Sequence, residues 1–239
     1  TYSLTKMMWL AEQRPEVFAR VRHVCLAKDY VAYRLTGVLA TDPSDASSTN
    51  AFDQTSGQWS SELTAAAGID RDLLPRVVAS TAVLGGVLAE SARALGVTAG
   101  TPGVMGGGDG PMAALGAGIV DPADGAYVYL GSSSWVSMSA ARPFYDPGMR
   151  TMSFNHVVPG RFVPTATMQA GGGSLQWIAE VLDPARGMAG LNAAIDESTT
   201  VTAAEQGLYF LPHLLGERSP YWDPTVRATF VGLARHHTR

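Results

Sequence analysis

The residues with the clearest chemical capacity lie in VMGGGDGPMAALGAG, Val104 to Gly118, where a single carboxylate, Asp109, stands among glycines. Gly106, Gly107 and Gly108 precede it; Gly110 and Pro111 follow. Two readings compete. An aspartate at a helix start commonly caps the helix and does nothing more. A carboxylate at the carboxyl end of a strand also sits where open α/β sheets collect their ligands. The positive end of the following helix favours the ionised form that a base needs at neutral pH. The neighbouring glycines put no side chain beside it, which leaves room for a substrate hydroxyl. Pro111 suits a first helical position and so places Asp109 at or just before the cap. On this stretch alone, the helix-start reading is the commoner one.

The same residues, Gly108 to Ala113, satisfy the dinucleotide pattern G-x-G-x-x-A. Electrostatics argue against it, because Asp109 would face the pyrophosphate. Asp121 and Asp124 downstream also fall in a turn rather than at the end of a second strand. A second constellation is YLGSSSWV, in which Gly131, Ser132 and Ser133 offer backbone N–H groups and hydroxyls at one tight turn. That suits a phosphate or another oxyanion; a polar hairpin tip is the competing reading. The nucleophile pattern G-x-S-x-G fails, because Trp135 stands where its last glycine belongs. A third is MQAGGGSLQW, where Gly171, Gly172 and Gly173 open a helix at Ser174 and make an anion-friendly N-terminus. No metal site is expected. The five histidines lie far apart except His236 and His237, and neither H-x-x-x-H nor C-x-x-C occurs. SDASSTNAFD lacks calcium-loop spacing, and His156 and His213 read as structural.

These groups need elements to hold them. Leu4, Met7, Met8 and Leu10 have helical spacing. RPEVFARVRHVC reads as a second helix started by Pro15, and AKDYVAYRLTG as a third, closed by Gly37. Thr41 to Trp59 is dense in turn formers and reads as loop with one short strand. SSELTAAAG is a helix with a capping box, and DRDLLPRV a short helix or turn. A strand at Gly103 to Met105 leads into a helix from Pro111 to Ala117. DPADG, Asp121 to Gly125, marks a domain boundary, giving domains at 1–122 and 123–239. Beyond it lie two strands around the Gly-Ser turn, the strand RFVPTATM and the amphipathic helix SLQWIAEVL. GLYFLPHLLGERSPYWDP reads as a buried strand running into a loop, and RATFVGL as a last strand. The class is mixed α/β.

With 46% hydrophobic and 16% charged residues, the chain is a folded protein and not a disordered one. A net charge of −4 with no basic stripe argues against a nucleic-acid partner. Apolar runs such as GAYVYLG are too short to span a bilayer, so no membrane partner is expected. One cysteine, Cys25, permits no intrachain disulfide, reads as a small buried hydrophobe, and fits a reducing, cytoplasmic compartment. The chain opens in TYSLTKMMWLAEQ, already inside a helical pattern, and closes on HHTR without a stop signal. It reads as a piece of a longer protein.

Taken in order, the segments resemble the FGGY family of carbohydrate kinases, most closely its xylulokinase-like branch. TKMMWLAEQ and AKDYVAYRLTG are similar to the family's K-x-x-W-L and K-D-Y-x-x-x-x-L-T-G segments. TDPSDASSTNAFD is similar to T-D-x-S-D-A-S, and GERSPYWDPTVRATFVGL to G-E-R-x-P…G-L. The resemblance implies an actin-like, ribonuclease-H-like two-domain fold with both domains incomplete, the first carrying the sugar and the second the nucleotide phosphates. It implies ATP with Mg2+, a small sugar or polyol as acceptor, and Asp109 as catalytic base. Gly108 and Gly110 would flank the sugar; Gly131, Ser132 and Ser133 would face the phosphates, with Gly171, Gly172 and Gly173 near the nucleotide. Members are often dimers, which makes a homodimer an expected assembly. Two positions depart from the branch: Gly110 stands where xylulokinases have a sugar-contacting Asn, and Ser132 where they have Thr. The family's D-x-G-T hairpin and adenine-binding G-G-x-x-x-S segment have no counterpart here, so the 239 residues alone are expected not to turn over. A non-catalytic sugar- or nucleotide-binding regulator of the same fold is the rival reading. An actin- or Hsp70-type ATPase would lack the K-x-x-W-L and K-D-Y segments.

Overall fold

The computed structural model describes residues 2–197, 205 and 207–237, which fall into two units. Unit 1 takes the chain up to Ala126 together with Met138–Phe144 and Ser153–Pro164; unit 2 takes Tyr127–Ser137, Tyr145–Met152 and the chain from Thr165 onward.

Helical spacing at the start yields α1 (Ser3–Gln13), which buries Leu4 and Met7. Helix α2 (Pro15–Phe18) starts at its proline as expected but is only four residues long. The expected continuation to Cys25 does not form, because the chain straightens and the Val24 N–H donates to the Leu73 carbonyl (2.8 Å). Cys25 is half-buried, and burial, reinforced by the Asp29 charge, raises the pKa of its thiol. Helix α3 (Ala27–Thr36) is entered through Asp29, which accepts the Leu26 N–H (3.0 Å), and is closed by Gly37 at φ +76°. That left-handed conformation favours glycine.

The stretch expected to be loop is more ordered than its composition suggests. It forms β1 (Ala40–Thr41), α4 (Pro43–Ala46), a 3-10 turn at Ser47–Thr49, β2 (Phe52–Asp53) and β3 (Gln58–Trp59). Asp42 is the N-cap of α4 and Pro43 its first residue, a pairing that starts a helix out of turn-forming residues. Helix α5 (Ser61–Ala66) is capped by Ser60, whose hydroxyl accepts the Leu63 N–H. Leu63 cannot return a side-chain bond, so the expected capping box is only half made. Then come β4 (Arg76–Val77), parallel to β1, and β5 (Val83–Gly86), antiparallel to β6 (Pro102–Val104) across α6 (Ala89–Leu95). The main core of unit 1 gathers Leu4, Met7, Ala46, Ala51, Phe52, Trp59 and Ile69. Phe52 and Trp59 meet edge to face at 5.7 Å, and the Trp59 indole donates to the Pro75 carbonyl. A second cluster, Ala32, Ala40 and Met105, seals the strand end that leads to Asp109.

Helix α7 (Asp109–Gly116) begins two residues before the expected Pro111. Gly108 is its N-cap, Asp109 its first residue, and Pro111 its third. The DPADG cluster forms a 3-10 turn at Pro122–Asp124. Four strands follow, β7 (Ala126–Leu130), β8 (Ser134–Met138), β9 (Met152–Asn155) and β10 (Phe162–Met168). In unit 2, Thr165–Met168 of β10 runs antiparallel to β8, pairing Thr165 with Ser137 and Met168 with Ser134. Helices α8 (Gly172–Leu182) and α9 (Met188–Glu197) and the pair β11 (Tyr209–Leu211) and β12 (Thr229–Val231) complete the described chain. Strand β11 is not buried as expected: Tyr209 is 54% and Leu211 43% exposed. Among the described residues only β12 pairs with it, with Phe210 stacked on Phe230 at 4.6 Å, and a two-stranded ribbon leaves much of its surface to solvent. Among the described residues no helix is long and apolar enough to cross a membrane.

Candidate functional site

Asp109 is exposed and opens α7; its Oδ1 accepts the Gly110 N–H at 2.8 Å. The loop before it is fixed glycine by glycine. Gly106 takes φ +72° and lies against the aliphatic stem of Lys28. A Cβ on Gly107 would collide with Val157 Cγ1 and stand 2.8 Å from Ser44 Oγ. One on Gly108 would stand 2.9 Å from Asp45 Oδ1. At Gly110 a Cβ would meet nothing within 4 Å. Gly107 and Gly108 are therefore glycines because protein packs against them, and only Gly110 opens onto empty space. Both main-chain polar groups of Gly108 are engaged, its N–H with Ser44 Oγ (2.8 Å) and its carbonyl with the Met112 N–H (2.9 Å).

Behind this loop lies a buried ionic cluster. Lys28 Nζ reaches Asp29 Oδ1 at 2.8 Å, Asp42 Oδ1 at 3.1 Å and Asp45 Oδ2 at 3.4 Å. Asp29 and Asp42 are fully buried. Asp42 Oδ2 accepts the Ser44 N–H (3.0 Å), the Ser44 hydroxyl (2.5 Å) and the Ser80 hydroxyl (2.7 Å). The Ser80 carbonyl in turn accepts the Gly106 N–H at 2.9 Å. Burial works against the Lys28 charge, but the Asp29 hydrogen bond and the three carboxylates outweigh it and raise its pKa. Asp45 is pushed up to about 6, by burial first; Lys28 opposes the shift while Asp42 and Asp29 add to it. Three carboxylates around one ammonium leave the most weakly held of them near its titration point at neutral pH.

In unit 2 the structure joins two of the glycine-rich segments. The Gly-Ser turn links β7 to β8, with the Gly131 N–H donating to the Ser133 carbonyl (3.0 Å). The glycine run docks on its other side. Gly171 and Gly173 donate to the Ser132 carbonyl at 2.9 and 3.1 Å, and Gly172 to the Gly131 carbonyl at 2.7 Å. A Cβ on Gly172 would come 2.6 Å from the Gly131 oxygen, and one on Gly171 would collide with Ser134 Oγ. The N–H groups of the glycine run thus shape the hairpin instead of pointing at an anion, and α8 begins at Gly172, two residues before the expected Ser174. Ser132 is exposed and Ser133 half-buried. Among the described residues neither hydroxyl has a protein partner, and neither N–H donates to a carbonyl.

The sequence-based candidates thus form two groups, Gly108, Asp109 and Gly110 in unit 1, and Gly131, Ser132, Ser133, Gly171, Gly172 and Gly173 in unit 2. Sequence reasoning missed Lys28, Asp42, Ser44, Asp45 and Ser80. The usable signal was Asp42-Pro43, an N-cap followed by a first-turn proline. His156 is structural as expected: buried, with Nε2 on the Ile119 carbonyl and Nδ1 accepting the Val158 N–H. His213 pairs with Glu217 Oε2 at 3.0 Å. Among the described residues no group of three or more His, Cys, Asp or Glu side chains is arranged to hold a metal ion.

Comparison with known proteins agrees with these segments. Residues 1–116 match the N-terminal domain of the FGGY family of carbohydrate kinases, and residues 126–239 match its C-terminal domain. The xylulose kinase of Lactococcus lactis is 36% identical over 99% of this chain and 46% of its own length. That of Escherichia coli is 32% identical over 99% of this chain and 48% of its own length. The crystal structure of a xylulose kinase from Rhodospirillum rubrum superposes with a TM-score of 0.85 at 34% identity, covering 99% of this chain and 47% of that one. This chain spans about half the length of the curated relatives it matches. The likeness bears out the actin-like α/β fold expected from the sequence. By both its domains and its fold, the chain belongs to the FGGY family of carbohydrate kinases.

Proposed function

We propose that the full-length parent of this chain transfers the γ-phosphoryl group of ATP to a hydroxyl of a xylulose-like ketose, with Asp109 as general base. One observation carries this reading: Asp109 is an exposed carboxylate at the first position of α7, on a loop whose main chain is pinned from behind. Phosphoryl transfer asks the protein for positioning, charge stabilisation and a carboxylate to take the hydroxyl proton. The Asp109 carboxylate would accept that proton as the sugar oxygen bonds to the γ-phosphorus and the bond to the β–γ bridging oxygen breaks, releasing ADP. Residues 1–122 would carry the sugar and 123–239 the nucleotide phosphates. Ser132 and Ser133 are the donors for a phosphate, Gly131 turns the chain there, and Gly171 to Gly173 hold the turn in shape. Gly110 supplies the open space beside the base, while Gly108, with both backbone groups engaged, supports the turn under it. The divalent cation, Mg2+ by family resemblance, would enter with the ATP phosphates and neutralise their charge.

A second reading, a sugar- or nucleotide-binding regulator, is favoured by Gly110, which leaves a void where the related branch places an amide. Coupled ADP-release assays on the full-length parent with pentuloses, polyols and gluconate separate the two. Turnover on a ketose supports the kinase. Calorimetric sugar binding without turnover supports the regulator. The 239 residues alone are expected to show no turnover, and the parent is expected to be a homodimer by light scattering.

A further inference from the structure

We infer that Ser44, oriented by Asp42 and Lys28, is a positioning residue that sets the place of Asp109 through the Gly108 N–H. The inference rests on the reading of Asp109 as the base and adds to it a group that touches no substrate.

The Ser44 hydroxyl can point in only one direction. The fully buried Asp42 carboxylate is met by donors: the Ser44 N–H and the Ser80 hydroxyl at Oδ2 and the Lys28 ammonium, 3.1 Å away, at Oδ1. The Ser44 hydroxyl, 2.5 Å from Asp42 Oδ2, must therefore donate its proton there. Having given up its one proton, Ser44 Oγ has only lone pairs left, and one of them receives the Gly108 N–H at 2.8 Å. Ser44 is itself buried and held through its own N–H by the same carboxylate oxygen, so it cannot turn away. The chain of contacts runs from the Lys28 ammonium through the Asp42 carboxylate and the Ser44 hydroxyl to the amide preceding Asp109. Each link is charge-assisted or fixed in direction by the one before it.

Close approach tightens the link. Gly107 has Ser44 Oγ within 2.8 Å of where a Cβ would stand, and Gly108 has Asp45 Oδ1 within 2.9 Å. The loop therefore lies in van der Waals contact with the segment Asp42 to Asp45, and any shift of Ser44 is passed to the first turn of α7. A displacement of about 1 Å at a reacting group is enough to cost on the order of 100-fold in rate.

Ser44→Ala, made in the full-length parent, tests this beside a matched control. Thr49→Ala deletes another buried hydroxyl of unit 1 that accepts one N–H, from Ala51, and donates to one acceptor, the Ala46 carbonyl, both partners lying outside the Asp109 loop. We expect both variants to melt earlier by a similar amount. Ser44→Ala alone should lower kcat about 10-fold or more with KM for sugar changed less than twofold, and should speed hydrogen exchange at the Gly108 amide. Equal kcat in the two variants, or unchanged Gly108 exchange in Ser44→Ala, overturns the inference. Asp109→Asn in the same background separates the two claims. If it stays active, the base is misassigned; if it is inactive while Ser44→Ala behaves like Thr49→Ala, the base stands and the positioning role falls. Should the parent bind sugar without turnover, Gly108 exchange decides the matter alone.

Discussion

The Asp109 loop and the Gly-Ser hairpin are both short glycine-rich turns, yet they are held in place by different means. In unit 1 a side-chain network stands behind the loop: the Ser44 hydroxyl, held by Asp42 beside Lys28, takes the Gly108 N–H, while the Ser80 carbonyl takes the Gly106 N–H. In unit 2 the hairpin rests on main chain, with three glycine N–H groups locked onto the Gly131 and Ser132 carbonyls. Glycine is needed at both for close approach, at Gly107 and Gly108 in one and at Gly171 and Gly172 in the other. The supporting forces differ in kind. An ionic scaffold is strong only while its shared counter-charge is in place, so it responds to pH and can be undone by one side chain. A backbone scaffold has no titratable member and fails only by collision.

That contrast can be broken from either side. Lys28→Met should have the largest effect on stability, leaving two fully buried carboxylates without a counter-charge. Removing one partner of a buried ion pair costs about 3–5 kcal/mol, and a loss under about 1 kcal/mol in thermal or denaturant unfolding would mean that Lys28 does not hold those carboxylates. Gly172→Ala should cost about 1–3 kcal/mol by overpacking against the Gly131 carbonyl, equally at pH 5 and pH 8.

Asp45→Asn sharpens the pH contrast. The folded pKa of about 6 lies above the reference 3.8, so the folded state holds this proton more tightly than the unfolded state does. The stabilisation is complete below the reference value and is lost as pH rises through the folded one. The Asn variant should therefore gain on the wild type between pH 4 and pH 7, by about 1–2 kcal/mol after allowance for solvent screening. A pH-independent difference between the two proteins would place the proton elsewhere. The smallest effect is expected for Gly110→Asn. It enters open space in the first turn of α7 and should change stability by no more than about 0.5 kcal/mol. A larger loss would mean that the space beside Asp109 is not open.

The order of segments and most of their elements were legible in the sequence because turn chemistry is local. Gly37 closing α3, Ser60 capping α5 and the Gly-Ser link between β7 and β8 all follow from rules that span a few residues. Asp109 at the mouth of a helix was legible for the same reason. The ionic cluster was not. Lys28, the Asp42–Ser44 pair and Ser80 come from three separate stretches, and each looks like a solvated turn or helix residue until the fold buries it. The roles of Gly107 and Gly108 were likewise hidden: spacing shows that a side chain is missing but not which neighbour excludes it. Strand β11 was misjudged as buried because its apolar run is continuous, whereas burial depends on which strands stand beside it.

The central claim is that Asp109 takes the proton of the sugar hydroxyl, and kcat of Asp109→Asn in the full-length parent tests it most directly. Asn keeps the size and the helix-start position of the residue but cannot accept the proton. The expected result is a fall in kcat of at least about 100-fold, in line with the loss of a general base, with sugar binding retained in calorimetry. Turnover within a few-fold of the wild type would contradict the account.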